Sequence, residues 1–513
     1  MMFFILGNIR AQTISYKIAE GEKGNSIYDY CIRSNNGYIL LKTETSHAFM
    51  STHLSIATTL LKVDNDLNTI QELPFVVANA DYISIESMQK IKGHTYLFYT
   101  KRQKKDDEVS FCSLLINEED LSKSEEFVIS TFTAENDKIA FTVKPSVDST
   151  NFLLFVEPKV KKTEDATFYF AVVNPEMKIA WERNFNLNVE SKFIDISSFA
   201  ANSDKNVFVS YKHFDKEVKK ESLKDDDGDR IPAYSTKILS FTPESEKPTT
   251  LRLNMHDKFV HSCDINYDYA HKKLLIMGMY KNKFNGQISG TYYSELNPVD
   301  NELNQIKTTA FPDELLELVK KDGFASTKSS DPGLKLPYTV ANVIFREDGS
   351  IDYLLEYQLL KIVTTSNGRT TTTYYEYIYG TIVDAHFKDG QASFVRIPKY
   401  QVEINKPDLL SFYPVLSNNK LILLYNDDKD NAEKDIAKSP DKIKAFKSAV
   451  LMAATIDANS NLTRDIIVNA KESDGYATMV PVMQRIDNKS VVFTQKLLKL
   501  FSTKTRFGTL EIK

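Results

Sequence analysis

The sequence predicts an all-β chain: a β-propeller of eight four-stranded blades, with seven blades as the alternative, closed by the N-terminal strand completing the C-terminal blade. Three observations carry this expectation. A pattern of four strands, a to d, recurs eight times along the chain. Its last occurrence, from Tyr476 to Lys513, is one strand short. An unclaimed strand-like stretch, 12–19 (QTISYKIA), stands at the other end. Self-similarity at a fixed period marks a repeat architecture, and a spare strand that fills the gap removes an open sheet edge.

Strand b is the most apolar of each repeat, at 38–43, 95–100, 152–157, 207–212, 274–280, 353–359, 421–426 and 491–496. Short continuous apolar runs of this kind read as strands buried on both faces. Strand c ends in an apolar run closing on a turn residue: Asp64, Asn117, Asn174, Thr242, Asn297, Asp384 and Asp457, with the eighth run ending the chain. In the last repeat, 477–486, 490–498 and 506–513 read as strands, and Ile14, Tyr16 and Ile18 alternate with polar residues as a half-buried fourth strand does. Eight repeats in 513 residues give a period of about 64, longer than the ~40–50 of ordinary blades. Loop insertions supply the difference.

Turns between a and b, such as Asn35-Asn36-Gly37 and Glu347-Asp348-Gly349, and between c and d, such as 64–68 and 457–461, are short and rich in residues that tolerate tight reversals. The b–c loops and d-to-a connections are long. In an up-and-down sheet these two classes leave at opposite ends, so all elaboration falls on one face. Three insertions stand out there: a charged loop at 215–232, a helix at 312–322 with Leu315, Leu316 and Val319 buried, and two helical turns within 427–448 broken at Ser439-Pro440. Pro at the helix start, acids in its first turn, lysines in its last and Gly323 beyond it are the expected termini.

Composition bounds the function. Apolar residues make up 42% and charged residues 26%, enough to bury a core. The net charge of −5 comes from intermixed Lys, Asp and Glu, which excludes the concentrated basic face of a nucleic-acid binder. Met1–Gly7 is apolar but too short to span a bilayer, and no other stretch could. Residues 1–11 read as the remnant of a signal peptide with Ala11 at the cleavage position, leaving 12–513 as a single propeller domain. Cys31, Cys112 and Cys263 are odd in number and lie on separate strands, which implies buried thiols and no disulfide framework.

Candidate chemistry is sparse. Asp225, Asp227 and Asp229 flank Gly228 and offer hard oxygen ligands for Ca²⁺, yet the spacing departs from the EF-hand loop, and the bland reading is a solvated acidic tip. The eight histidines show no zinc spacing. His47, His53, His256 and His261 flank loops or strands without forming a motif, and Gly286–Gly290 is no nucleophile elbow because its Ser is not central. The Thr/Tyr-rich 364–379 is ordinary strand chemistry, with an aromatic platform for sugar or peptide as the lesser reading.

The run 364–377, the segment Arg396-Ile397-Pro398-Lys399-Tyr400-Gln401, the stretch 421–431 (LILLYNDDKDN), the closing GTLEIK and the Ala11-Gln12 junction together resemble uncharacterised exported β-propeller-like proteins of Bacteroidota. The resemblance covers roughly the last third of the chain and implies an exported protein, periplasmic, outer-membrane-associated or extracellular, with no established activity. The leading expectation is a non-catalytic scaffold for protein interaction or ligand binding in the cell envelope, with a protein or glycan partner on the elaborated loop face. The alternative is a hydrolase or lyase acting on polysaccharide or peptide at the central channel mouth. Paired carboxylates, or a carboxylate with His and Arg, at strand a would favour the enzyme. The Ser197-Ser198 and 339–341 stretches favour the scaffold.

Overall fold

The computed structural model describes residues 14–47, 54–77, 80–103, 108–133, 139–145, 150–158, 160–215, 222–224, 230–253, 255–297, 302–327, 331–366, 371–443, 445–469, 474–487, 489–499 and 502–512. These form a nearly all-β structure with eight antiparallel sheets of four to six strands and two two-stranded hairpins. All eight apolar runs lie in the second strand of a sheet, from Gly37–His47 through Ser490–Lys499. Leu40, Phe98, Leu154, Val209, Met277, Leu354, Leu423 and Phe493 in these strands have no accessible surface. Outer strands alternate instead: Ile179–Glu190 switches between half-buried and exposed at nearly every residue. A strand covered on one face only shows this period of two.

The chain divides into two compact units: Met1–Val76 with Gln358–Gly380 and Ile397–Lys513, and Val77–Tyr357 with Thr381–Arg396. In the first unit, Ile14–Ile18 is the outermost strand of the last sheet, pairing with Ser502–Ile512 from Ile14 opposite Ile512 to Ile18 opposite Gly508. Ile14, Tyr16 and Ile18 cover Val491, Phe493, Leu510 and Ile512. Gly508 is required there, because a Cβ would sit 2.4 Å from the Phe493 ring and 2.6 Å from the Lys17 carbonyl. The N-terminal strand thus fills the place the short last repeat leaves open.

Three expectations need correction. The first strand of the last repeat is not continuous: Ala477–Thr478 and Gln484–Arg485 are separated by a 3-10 turn over Val480–Val482. Pro481 cannot donate to a ladder, so the strand breaks around it. Among its described residues the 427–448 segment has no helix longer than the single 3-10 turns Lys429–Asn431 and Phe446–Ser448. Asn431 bridges to the backbone of Asp441 on both sides (2.7 and 2.9 Å) and to Asp427 (2.8 Å), bonds that compete with helix. Asp384 does not close a turn. The strand Thr371–Lys388 runs past it, and its carboxylate is fully buried.

In the second unit the helix spans Asp313–Lys321 and buries Leu315, Leu316 and Val319 as its pattern implies. Gly323 follows at φ 94°, a backbone state that suits glycine. The c–d turns close on their predicted side chains in both units. Asp64 accepts the Asp66 and Asn68 amides, Asn174 those of Glu176 and Lys178, and Asp457 those of Asn459 and Asn461. In four sheets the first strand carries a register shift near its middle, at Tyr28/Tyr30, Ile85/Ser87, Ile196/Ser198 and Val340/Asn342. Such bulges re-aim one side chain without ending the strand.

Candidate active site

The first unit contains a cavity of about 830 Å³ lined by Asn25, Ile27, Thr45, Thr503, Lys496 and residues 403–406, 408 and 409. These residues lie at the start of a first strand, at the loop end of a second or third strand, in the strand Gln401–Ile404 or in a connection leading to a first strand. That is the end of the sheets where the sequence places its longer loops.

The strand Gln401–Ile404 supplies the central side chain. Its alternation puts Gln401 and Glu403 on one face, opposite Tyr379 and Tyr377 of the neighbouring strand. Gln401 is wholly buried and fastens the following connection. Its Oε1 accepts the Ser411 amide (2.8 Å), and its Nε2 donates to the Asn426 carbonyl (2.8 Å). Asn426 in turn donates to the carbonyls of Leu409 (2.8 Å) and Thr478 (2.6 Å). Asn405 and Ser411 stand at φ 67° and 72°, so this connection holds a turn geometry that only its fixed side chains explain. The result is that the Leu409 amide reaches the Glu403 carboxyl at 3.1 Å.

Burial is the main effect on Glu403, and the neighbouring Asp408 adds to it. Against the Leu409 amide and the lysines at 496 and 406, they push its carboxyl up to about 7. Asp408 is paired with Lys496 at 3.2 Å. One acid is thus held protonated close to neutrality beside another that carries its own counter-ion, the division of labour that general acid–base catalysis needs.

The second unit holds a cluster with more conspicuous residues. Arg346 binds Asp352 through Nε (2.7 Å) and a terminal nitrogen (3.1 Å), and His386 Nδ1 meets the same carboxylate at 2.7 Å. The arginine and aspartate side chains are 2% and 0% exposed. Neither oxygen of Asp384 has a hydrogen-bond partner, and burial together with Asp352 holds its carboxyl well above the usual range. Asp322 is likewise closed off, by Arg396 Nε (2.7 Å) and the Thr381 hydroxyl (2.6 Å).

Asp225, Asp227 and Asp229 lie outside the described residues, between the paired strands Ser222–Lys224 and Arg230–Pro232. Among the described residues no group of three His, Cys, Asp or Glu is arranged to hold a metal. His53 also lies outside them. His256 lines a smaller cavity of about 360 Å³ with Arg252 and Lys258, and burial lowers His261 to about 4. Cys31, Cys112 and Cys263 are buried and unbridged. In the first strands, Asp29 and Glu86 sit at bulges, each raised by burial and bonded to a threonine of its own sheet. Glu403, Asp408 and Lys496 escaped the sequence reading. The only local hint is the charged Asn405-Lys406-Pro407-Asp408 reversal in an elaborated connection, while Lys496 is almost ninety residues distant.

Fold and site together define an all-β repeat protein with a carboxylate-lined cavity among its longer loops. No family model and no curated protein matches the sequence, so the resemblance to exported Bacteroidota proteins gains no sequence relative. Solved structures do match. A protein of unknown function from Dyadobacter fermentans has a TM-score of 0.32 at 9% identity, over 74% of this chain and 96% of that one. Porphyromonas gingivalis dipeptidyl peptidase 4 has a TM-score of 0.42 at 9% identity, over 92% of this chain and 56% of that one. The endo-arabinase of Bacteroides thetaiotaomicron has 0.24 at 12%, over 57% of this chain and 99% of that one. With TM-scores this low, these likenesses carry no argument about activity. No helix among the described residues is long and apolar enough to cross a membrane.

Proposed function

We propose that the chain is an exported eight-bladed β-propeller over residues 12–513 that cleaves glycosidic bonds at the Glu403 cavity. The observation that carries this reading is that Glu403 and Asp408 line one cavity, the first fixed by the Leu409 amide and the second by Lys496. Glycoside cleavage needs two carboxyl groups in opposite protonation states. Glu403, kept protonated by burial, donates its proton to the leaving-group oxygen. Asp408, paired with Lys496, serves the opposite role towards water or the sugar carbon. Peptide cleavage by a Ser–His or Cys–His pair is not provided for, since the described lining holds no Ser, Cys or His.

The test is release of reducing ends from neutral polysaccharides by the full chain and by Glu403→Gln. Turnover should fall by about 10²–10⁴-fold in the variant, and wild-type activity should decline as pH rises through 7 and the acid ionises. If wild-type and variant bind polysaccharide equally and neither releases reducing ends, the non-catalytic scaffold is the better reading.

A further inference from the structure

The sheet face that carries Glu403 does not end at the cavity. Tyr377 lies directly opposite Glu403, and Tyr375 is joined to Asn405 through both the Asn405 amide (2.7 Å) and its side-chain oxygen (3.1 Å). On the far side of the same strand, the Thr364–Thr373 hydroxyl contact (3.2 Å) and the Lys361–Glu376 ion pair (3.7 Å) set the register of the hairpin. That register puts Ile362 across from Tyr375 and Leu360 across from Tyr377. Side chains directly opposite on paired strands share a face. One face therefore runs outward in rows: Gln401 with Tyr379, then Glu403 with Tyr377 and Leu360, then Asn405 with Tyr375 and Ile362, then Thr373 with Thr364. Successive rows are about 7 Å apart. The gradient is steep, from buried Gln401 to Leu360 at 48%, Tyr375 at 43% and Ile362 at 66% exposure.

Large apolar side chains exposed in one contiguous strip call for an occupant. Two features say what it is. Among the described residues at the outer end of the hairpin, the charged pair Lys361 and Glu376 is sorted to the opposite face. The strip beyond Glu403 is uncharged, with tyrosine and threonine hydroxyls set among flat apolar surface. It also meets the cavity at Glu403 and Asn405, which belong to both the face and the cavity lining. We propose that this face is a binding ledge for a neutral oligosaccharide chain, which lays its ring faces on Tyr375, Ile362 and Leu360 and delivers a linkage to Glu403. The inference deepens the hydrolase reading and rests on it for the position of the cleaved bond. An extended peptide fits less well, because it would be recognised by a free sheet edge and side-chain pockets, and the described residues of the strip offer a uronate polymer no cation.

The experiment uses the full chain with Glu403→Gln, so that binding is measured without turnover. Cellotetraose, xylotetraose, mannotetraose and arabinotetraose are titrated calorimetrically, with tetragalacturonate and an extended decapeptide as the charged and peptide probes. At least one neutral tetrasaccharide should bind in preference to the last two. Adding Tyr375→Ala or Ile362→Ser should weaken it by about tenfold, the cost of truncating one anchor side chain, whereas Lys361→Ser on the other face should change nothing. Both target side chains are exposed, so folding is not at stake. Absence of neutral-sugar binding, preference for the peptide or the galacturonate, or unchanged affinity after Tyr375→Ala overturns the ledge. The two readings fail separately. A Glu403→Gln enzyme that still cleaves the bound tetrasaccharide removes the acid and leaves the ledge. Loss of turnover in Glu403→Gln, with KM unchanged in Tyr375→Ala, removes the ledge and leaves the acid.

Discussion

The Glu403 cavity and the Asp352 cluster are built from the same stock, two carboxylates and a cation, and differ in what the cation leaves free. Arg346 meets Asp352 with two nitrogens and His386 takes up one of the same oxygens, with both members of the ion pair at most 2% exposed. A planar fork used in this way closes a carboxylate off. Lys496 is a point charge on a carboxylate that remains 30% exposed to the cavity. Carboxylate, arginine and histidine together would pass any residue-type search for an active centre. In this protein Arg346 and Asp352 are buried and His386 alone of the three keeps partial exposure, while the plainer Glu–Asp–Lys trio lines a cavity. Residue type proposes a site, and solvent access with a free lone pair decides it.

That contrast can be broken in order of expected effect. Removing residues 1–20 takes away the strand that covers Ser502–Ile512, which also carries Thr503 of the cavity wall. Losing its ladder and the cover from Ile14, Tyr16 and Ile18 should cost on the order of several kcal/mol. Chemical denaturation would show this, and shortening the 215–232 loop should barely change stability. Arg346→Ala leaves buried Asp352 without its arginine, with His386 still on one oxygen, and should lower stability by ~3–5 kcal/mol while sparing glycan binding by any chain that still folds. A variant as stable as the wild type would mean the cluster is not structural.

Asn426→Ala sharpens the comparison from the cavity side. It strips partners from the Leu409 and Thr478 carbonyls, which should cost ~1–3 kcal/mol and free the 405–411 connection. The alkaline limb of the pH–activity profile should then move below 7 towards an ordinary glutamate, because the burial that raises Glu403 is relaxed. An unmoved limb would show that Asn426 does not position the acid.

The smallest effects are in stability against pH. Glu403 is raised in the fold from an ordinary 4.5 to about 7, so the stability it contributes is whole below 4.5 and is lost as pH rises through 7. Glu403→Gln, neutral throughout, should match the wild type near pH 4 and melt higher at pH 8. Asp384 has the same sign, its carboxyl being held well above 3.8, so Asp384→Asn should also gain on the wild type as pH rises from 3 to 8. Only the Glu403 change should touch turnover. Equal melting curves at pH 8 would remove the buried-acid assignment at either position.

Much of the architecture was legible in the residues. The apolar runs marked the second strands because a strand buried on both faces must be apolar throughout, and Asp64, Asn174 and Asp457 marked turns because their side chains bond the next amides. The helix at Asp313–Lys321 followed from its termini and its stripe. The alternation of Ile14, Tyr16 and Ile18, with a last repeat one strand short, even foretold a pairing between the two ends of the chain. These are local patterns, or counts of them, and one sequence contains them. What escaped was set by contacts across long separations. Asp384 reads as a turn residue until the strand carrying it runs on to Lys388 and Asp352 comes beside it. Pro481 and Asn431 interrupt a strand and a helix that propensity alone would continue. Glu403 became an acid because the assembled fold buries it beside Asp408, and Asp408 found its counter-ion in Lys496, far along the chain. The sequence by itself determined strands, turns and the end bearing the long loops, because those follow from periodicity and local hydrogen bonding. Only the tertiary structure decided which carboxylates are sealed and which face a cavity, because burial and pairing are properties of the assembled sheets.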